Sequence, residues 1–231
     1  MSAVEFADLA IVLITKFPAA GKVKTRLSPQ LTPLQAAGVH RCFVLHLAGR
    51  IRGLQPAEFF VYFDPPEQRD AMQSLLAEFA PFTLVPQCGG DLGRRLAHIA
   101  GVVAERYPRM LILGADSPDV PRDHFVRAAQ LAAAAQVSIN PTEDGGYWCL
   151  GLSRGIDFPC LLHGGIEWST ERTAAHTIAN AQKLNCSIAR GESWDDVDHP
   201  EDLSRLLQRL AASDDASDQK LRLEIEAVIS G

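Results

Sequence analysis

The chain has 231 residues, of which 47% are hydrophobic and 22% are charged, and its formal net charge is -6. A chain of this size buries a core without disulfides or structural metals. Its acidic pI, near 5.6, argues against a general nucleic-acid binder, which presents a broad basic surface. The five scattered cysteines and the lack of a signal peptide or a membrane-spanning run predict a cytoplasmic protein with no membrane partner.

Apolar runs and amphipathic segments alternate along most of the chain. LAIVLIT (9–15) is a continuous apolar run, typical of a strand buried on both faces of a parallel sheet. A helix follows, with Thr32 as its N-cap, Pro33 in the first turn and Gln35 completing a capping box. Further strands are predicted at 58–63, 82–87, 109–116, 136–140 and 146–152, and further helices at 69–80, 91–107 and 121–135. This alternation predicts an α/β fold, a single three-layer α/β/α domain with a mostly parallel twisted sheet.

The C-terminal segment has a different composition. SDDASDQ (213–219) is polar and acidic and is predicted to be a linker, and KLRLEIEAVIS (220–230) is predicted to be a short helix. We therefore expect one folded domain over 1–212 and an appended linker and helix over 213–231.

A cationic loop follows the first predicted strand. KFPAAGKVKTR (16–26) contains four basic residues and no carboxylate, and small residues at its bend let backbone N–H groups approach an anion. The predicted phosphate-binding residues of this loop are Lys16, Pro18, Gly21, Lys22, Lys24 and Arg26. The alternative is a solvated basic loop. The spacing is neither that of a P-loop nor that of a dinucleotide fingerprint, which argues against an NAD(P)-dependent oxidoreductase.

A second, weaker phosphate signal lies in GGDLGRRL (89–96). Glycines precede a helix for which Asp91 is a possible cap, and Arg94 and Arg95 lie in its first turns. Either arginine could reach a phosphate, or both could be surface residues.

Two separated aspartates are candidate metal ligands. Asp116 ends a predicted strand in GADSPDVP (114–121), where a carboxylate is well placed to hold Mg²⁺ (or Mn²⁺), although a turn-forming role is equally compatible with the pattern. WDDVDHPEDL (194–203) crowds three aspartates together, which repel each other unless a cation relieves them. Of these, Asp198 is the predicted second ligand, and the acidic residues after Pro200 are predicted to start a helix. Asp119 either assists the metal or caps a helix.

PTEDGGYWCLGL (141–152) and EWSTERT (167–173) are candidate acceptor-binding segments. Their predicted acceptor residues are Glu143, Asp144, Gly145, Gly146, Tyr147, Ser169 and Thr170. The paired glycines permit a sharp turn or a close approach by a ligand, and an ordinary hairpin turn explains them as well. Ser169 or Thr170 is also a predicted helix cap.

Taken in order, KFPAAGKVKTRLSP, GGDLGRRL, LGADSPDVP, PTEDGGYWCLGL, WST and DVDHPEDL resemble the motifs of a bacterial family of uncharacterised transferases. That family belongs to the nucleotide-diphospho-sugar transferase superfamily, whose fold is called GT-A. The segment around Lys24 and Arg26 is also similar to the start of 2-phospholactate guanylyltransferases, where K-x-R-L faces the nucleotide phosphates. The resemblance extends to about Leu203.

The resemblance implies a Mg²⁺-dependent enzyme that binds a nucleotide or nucleotide sugar and a small-molecule acceptor. It implies metal ligands at Asp116 and Asp198 and catalytic roles for Lys24 and Arg26. Nucleotidyl and glycosyl transfer both remain open, and in glycosyl transfer Asp144 is the expected base toward an acceptor hydroxyl. A non-catalytic nucleotide sensor or partner-binding module is the alternative, and the sequence leaves the oligomeric state undetermined.

Overall fold

A seven-stranded sheet forms the middle layer of the protein, in a computed structural model that describes residues 6–28 and 30–231. The strands are β1 (Leu9–Lys16), β2 (Glu58–Asp64), β3 (Thr83–Pro86), β4 (Arg109–Gly114), β5 (Val137–Pro141), β6 (Tyr147–Ser153) and β7 (Ile188–Arg190). Their order is β3-β2-β1-β4-β6-β5-β7. β6 runs antiparallel to β4 and β5, and the other pairs are parallel, so the predicted mostly parallel α/β sheet is confirmed.

Helices cover both faces of the sheet. They are α1 (Pro33–Gly53), α2 (Arg69–Leu75), α3 (Leu92–Arg106), α4 (Arg122–Ala134), α5 (Phe158–Leu162), α6 (Thr173–Lys183), α7 (Pro200–Ala212) and α8 (Ala216–Ser230). Side chains alternate along β1, so Ile11 and Leu13 pack in the core layer of α1 and α4, whereas Ala10 and Val12 pack in that of α3 and α5. This two-sided burial is the reason why β1 is apolar throughout.

Local capping signals in the sequence fix where two helices begin. Gln35 donates its N–H to the Thr32 hydroxyl over 3.2 Å, and the Gln35 amide oxygen accepts from the Thr32 N–H at 3.0 Å, as predicted. Asp91 accepts the N–H of Arg94 at 2.8 Å and so caps α3. Caps of this kind pair the backbone N–H groups that the first turn of a helix leaves free. Because the capping side chain lies within three residues of those groups, the sequence alone indicates the cap.

Several elements differ from the prediction. The predicted helix over 69–80 ends at Leu75 and is followed by a 3₁₀ turn at Ala77–Phe79. α6 begins at Thr173 with Arg172 as its N-cap, so the predicted cap at Ser169 or Thr170 is wrong. The short elements α5 and β7 were not predicted, because three to five residues carry too little periodicity to be recognised.

The C-terminal helix packs against the body of the protein. α8 begins at Ala216, inside the segment predicted as a linker, and lies against α1 and α7 with Leu221 and Ile225 buried. Its Asp218 pairs with Arg50 of α1. The proposed division of the chain at residue 212 remains a prediction. None of the described helices has both the length and the apolar character needed to cross a membrane.

Candidate functional site

Three separate segments meet where the parallel strands end. Asp116 follows β4, Lys24 lies in the loop after β1, and Asp198 immediately precedes α7. The Val197 N–H donates to the carbonyl of Asp116 over 2.9 Å, and the Val197 side chain is fully buried. This anchor holds the late segment against the end of β4, so that two aspartates more than eighty positions apart in sequence lie side by side.

The ammonium group of Lys24 lies between these two aspartates. It forms an ion pair with Asp116, lies 3.1 Å from the Asp198 carboxylate, and donates to the Val197 carbonyl at 2.6 Å. The Lys24 side chain is 3% exposed. Burial alone lowers the pKa of Lys24, but the adjacent carboxylates of Asp116 and Asp198 raise it above its ordinary value. Lys24 is therefore a buried cationic partner of both aspartates.

Asp116 is ionised for the complementary reason. Desolvation raises the pKa of a carboxyl group, but the charge and hydrogen bond of Lys24 hold the pKa of Asp116 below its ordinary value. Arg26 adds a second cation to the cluster, with its guanidinium 3.0 Å from the Asp198 carboxylate. Asp116 and Asp198 thus present charged oxygens to a single point.

This point fits a divalent cation completed by substrate. Mg²⁺ is commonly held by one or two carboxylates, with water and substrate phosphate oxygens filling its other positions. Asp116 and Asp198 converge on one ammonium group, which marks a position that a cation can share between them. Within residues 6–28 and 30–231, no three His, Cys, Asp or Glu side chains form a metal site by themselves. The donor set therefore suits Mg²⁺ or Mn²⁺ bound together with phosphate.

A cationic cavity of about 350 Å³ opens on one side of the aspartate pair. Its charged lining residues are Lys16, Lys22, Lys24, Arg26, Arg95, Asp116 and Asp198. Apart from the two aspartates, the lining charges are positive. The size and charge of this cavity suit an anion with several phosphate groups.

A hydrogen-bonded floor orients Arg95 in the cationic cavity. Gln87 donates to the carbonyls of Thr15 and Tyr62 at 3.0 and 3.2 Å. The Gln87 amide oxygen then accepts from Arg95 at 3.3 Å, and Arg95 also donates to the Gly90 carbonyl at 3.0 Å. Arg95 is thereby held at the cavity, whereas its neighbour Arg94 is exposed outside it.

An acidic cavity of about 370 Å³ opens on the other side of the pair. Its lining includes four carboxylates, from Asp116, Asp144, Asp196 and Asp198, and one basic residue, Arg26. Aromatic and hydroxyl-bearing residues complete it, namely Ser117, Thr142, Tyr147, Trp148, Trp168, Ser169, Thr170 and Thr173. Arg26, Asp116 and Asp198 line both cavities, so the aspartate pair forms their shared boundary.

A tight turn fixes Asp144 at the acidic cavity. Its carboxylate accepts from the Thr142 hydroxyl and from the Gly146 N–H, the latter at 3.0 Å. Gly145 adopts a φ of +88°, and a Cβ there would lie 2.1 Å from the carbonyl oxygen of Glu171. Glycine is therefore required at 145 both by the backbone conformation and by the close approach of the 171 backbone.

Asp196 is a site residue that the sequence reasoning did not assign. Burial, followed by the neighbouring charges of Asp144, Asp198 and Asp116, raises its pKa to about 6. Side chains alternate along this segment: Asp196 and Asp198 line the acidic cavity, and Val197 between them is buried. That alternation in WDDVDHP is the signal that could have grouped Asp196 with Asp198.

Asp119 and Asp195 support the site from outside. Arg209 of α7 donates to Asp119 at 2.6 Å and to Asp195 at 2.8 Å, and the Trp194 indole N–H donates to Asp119 at 3.0 Å. Asp119 is 5% exposed. Asp119 does not cap α4, whose N-cap is Pro121 with no side-chain cap hydrogen bond. It ties the 194–198 segment to the loop before α4. At the start of α7, Asp202 accepts the N–H of Asp198 and of His199, which agrees with its predicted structural role.

The remaining predicted residues divide between the two cavities and their surroundings. Lys16 and Lys22 line the cationic cavity, and Gly146, Tyr147, Ser169 and Thr170 line the acidic cavity. Glu143 lines a smaller neighbouring cavity of about 260 Å³ that also contains Asp144. Pro18 and Gly21 line neither of these two cavities, Gly21 adopts a φ of +72°, and Gly145 acts through the turn.

Residues 47–170 match the family described as "Uncharacterized protein conserved in bacteria (DUF2064)". The chain belongs to this family. The bacterial family recognised from the motifs is thereby confirmed.

The solved structures that resemble this chain share its GT-A-like architecture. A nucleotide-diphospho-sugar transferase, so described, from Desulfovibrio desulfuricans G20 is 26% identical, with 97% of each chain covered and a TM-score of 0.84. A cytidylyltransferase from Leptospira borgpetersenii serovar Hardjo-bovis is 12% identical, with 96% and 94% covered and a TM-score of 0.59. A CMP:2-keto-3-deoxy-manno-octonic acid synthetase complexed with CTP is 13% identical, with 89% and 99% covered and a TM-score of 0.56.

One curated protein matches over a shorter segment. A UDP-N-acetylmuramoyl-L-alanyl-D-glutamate--2,6-diaminopimelate ligase of Mesorhizobium japonicum is 38% identical over 79 residues, which is 32% of this chain. The chain matches 16% of the length of that ligase.

Proposed function

We propose that this DUF2064 protein is a Mg²⁺- or Mn²⁺-dependent transferase that moves a nucleotidyl group from a nucleoside triphosphate to a small-molecule acceptor. The observation that carries the proposal is the position of Asp116 and Asp198 on the boundary between a cationic and an acidic cavity. This arrangement suits nucleotidyl transfer, because a triphosphate in one cavity and an acceptor in the other would meet at the aspartate pair.

The cationic cavity is the proposed donor site. Lys16, Lys22 and Arg95 line it away from the acidic cavity and are available to bind the β- and γ-phosphates. Lys24 and Arg26 are nearest the aspartates, where they neutralise charge that accumulates on the leaving pyrophosphate. A bound divalent ion supplies further charge stabilisation at the α-phosphate. The ammonium of Lys24 lies between Asp116 and Asp198, so a metal held by both aspartates would compete with it and Lys24 would turn toward the phosphates.

The acidic cavity is the proposed acceptor site. An acceptor hydroxyl oxygen forms a bond to the α-phosphorus, the bond from that phosphorus to the bridging oxygen breaks, and pyrophosphate leaves. The hydroxyl proton passes to a carboxylate. Asp196 is favoured as this general base because its pKa of about 6 lies near neutral pH, at which a general base works most efficiently. Asp144, Tyr147, Ser169 and Thr170 position the acceptor.

Two comparisons support nucleotidyl transfer, and one supports a second candidate. Among proteins of this architecture, one is a cytidylyltransferase and another is a synthetase complexed with CTP. The D. desulfuricans protein, by contrast, is described as a nucleotide-diphospho-sugar transferase. In glycosyl transfer the same cations would hold the diphosphate of a sugar nucleotide, and Asp144 or Asp196 would accept the acceptor proton.

All five cysteines are free, which agrees with the cytoplasmic location that we propose.

The two reactions release different products. Purified protein is incubated with Mg²⁺ and either four nucleoside triphosphates or a set of sugar nucleotides, each with an acceptor mixture extracted from cells. Pyrophosphate release supports nucleotidyl transfer, and release of a nucleoside diphosphate from a sugar nucleotide supports glycosyl transfer. Asp116→Asn should abolish either activity.

A nucleotide sensor predicts a different pattern. Nucleotide binding would then persist unchanged in Asp116→Ala and Asp198→Ala, with no product released from any donor. Ligand binding raises thermal stability by mass action, so a thermal-shift series with and without Mg²⁺ measures this binding independently of turnover. That result would overturn the transferase proposal.

A further inference from the structure

We propose that the acceptor bound in the acidic cavity carries a reactive hydroxyl and no anionic group, and is therefore neutral or ammonium-bearing. This inference rests on the proposed function, because it assigns the acceptor to that cavity. It excludes phosphorylated and carboxylated acceptors.

Two carboxylates of the acidic cavity lack a basic partner. Asp116 and Asp198 pair with Lys24, and Asp198 also pairs with Arg26. Within the described ranges, by contrast, Asp144 and Asp196 have no Lys, Arg or His nitrogen within 4.0 Å. Arg26 is the basic residue that lines this cavity, and its guanidinium is already 3.0 Å from Asp198. The cavity wall therefore sets four carboxylates against a single guanidinium, which already pairs with one of them, so an acceptor anion would meet an excess of negative charge.

Substrate and metal binding do not reverse this charge. A divalent ion held by Asp116 and Asp198 would offset those two carboxylates and would leave those of Asp144 and Asp196 without a cation, and a bound triphosphate would add further negative charge next to the cavity. An anionic acceptor would have to lose its hydration shell beside carboxylates that outnumber the guanidinium of Arg26, which is unfavourable. A neutral hydroxylated molecule avoids this cost, and an ammonium group gains from it.

The neutral groups of the cavity point to the same class of ligand. Ser117 is 5% exposed and lines the cavity, and its hydroxyl has no hydrogen-bond partner within the described part of the chain. A buried hydroxyl without a partner is costly, and a hydroxyl of the ligand would satisfy it. Trp168 and Tyr147 pack edge to face with their ring centroids 6.5 Å apart, and offer the aromatic surface on which sugar rings and ammonium groups pack.

The first test measures the charge of the cavity and needs no acceptor. Trp168 lines the acidic cavity, so the fluorescence lost in Trp168→Phe isolates its signal. This signal is quenched with caesium or with iodide at constant ionic strength, each normalised to free N-acetyltryptophanamide. We expect normalised caesium quenching to exceed iodide quenching at least about threefold, because a negative cleft concentrates cations. The Asp144→Asn/Asp196→Asn double variant should bring the ratio close to one.

The second test uses four matched probes, glucosamine, glucose, glucose 6-phosphate and glucuronate, with Mg²⁺ and a non-hydrolysable triphosphate present. We expect glucosamine to change Trp168 fluorescence at the lowest concentration, glucose to follow, and the two anions to act only in the Asp144→Asn/Asp196→Asn variant. Circular dichroism and thermal unfolding establish that both variants fold.

Three outcomes overturn the inference. They are iodide quenching equal to or greater than caesium quenching, tighter binding of either anion than of glucose, and a quenching ratio that the double variant does not change. If none of the four sugars binds, the quenching ratio decides. Neither test depends on turnover, so failure here is distinguishable from failure of the transferase proposal, which the product assays measure.

Discussion

The cationic and acidic cavities differ in how their residues are distributed along the chain. Four of the five basic residues of the cationic cavity come from the single stretch 16–26. The acidic cavity draws its lining from several separate segments, among them 142–148, 168–173 and 196–198. A site carried by one loop can be recognised in sequence, whereas a site assembled from several elements depends on the fold. The aspartate pair joins the two, so its removal should affect both.

The largest expected effect is that of Asp116→Asn. Asp116 lines both cavities and pairs with Lys24, so its loss removes a proposed metal ligand and leaves a buried ammonium with a weaker partner. We expect kcat to fall by at least about 10³-fold, with Mg²⁺ affinity reduced as well. Product release under saturating substrate measures the former. The exposed Asp214→Asn should retain full activity, and an active Asp116→Asn would contradict the assignment of the boundary.

Lys24→Met should separate the two functions of the cationic side. Without the ammonium, Asp116 and Asp198 are free to bind a metal, so we expect the nucleotide-free protein to bind Mn²⁺ at least about tenfold more tightly. Turnover should fall by about 10²-fold, because a charge facing the leaving group is lost. Electron paramagnetic resonance of Mn²⁺ measures the affinity.

Lys22→Met is the matched control for this experiment. Lys22 lines the same cavity but is exposed and forms no ion pair with either aspartate in the described part of the chain. It should weaken nucleotide binding and leave Mn²⁺ affinity unchanged. Equal Mn²⁺ affinities for Lys24→Met and the wild type would show that the ammonium does not compete with the metal.

Arg209→Met tests the support behind the acidic side. It leaves the carboxylate of Asp119, which is 5% exposed, without its guanidinium partner. We expect a loss of about 2 kcal/mol in the free energy of unfolding, since a buried charge without its partner is costly and Arg209 itself is partly exposed. Urea unfolding measures it. Asp119→Asn combined with Arg209→Met should recover much of the loss.

Arg205→Met provides a comparison on the same helix. Its ion pair with Asp202 lies on the surface, with the Arg205 side chain 52% exposed, so we expect a change within about 0.5 kcal/mol. If Arg205→Met lowered the free energy of unfolding as much as Arg209→Met, the loss would come from changing any arginine of α7 and not from breaking the buried ion pair.

A further expected effect concerns the pH dependence of stability. Asp196 has a pKa raised from 3.8 to about 6 in the folded protein, so the folded state binds its proton more tightly than the unfolded state. Its contribution is therefore favourable at low pH and is lost as the pH rises from about 4 to 6. Asp196→Asn should be close to neutral at pH 4 and stabilising above pH 6, by about 3 kcal/mol at most.

Urea unfolding in the presence of a chelator at pH 4, 5 and 7.5 checks this sign. A difference that shrinks as the pH rises, or that stays constant, would mean that Asp196 does not carry the raised pKa. It would also weaken the acidic character assigned to the cavity.

The fold was predictable where physical signals are local. The apolar run of β1, the Thr32 capping box and the Asp91 cap each act within a few residues, and the structure confirms them. The short α5 and β7, by contrast, are stabilised by packing on neighbours, and α8 begins earlier than its own hydrophobic pattern indicates. Their boundaries were not predictable, because tertiary contacts determine them.

The sequence by itself determined the class of fold, the cationic loop with Lys24, and the strand-terminal position of Asp116, because strand periodicity and charge clustering are properties of contiguous residues. The tertiary structure alone decided that Asp198 lies beside Asp116 and that Asp196 and Asp144 share one cavity. It also decided that Asp119 and Asp195 form ion pairs with Arg209 and do not line that cavity. The reason is physical: which side of a segment is available to a ligand depends on what packs against the other side, here the buried Val197 and the guanidinium of Arg209.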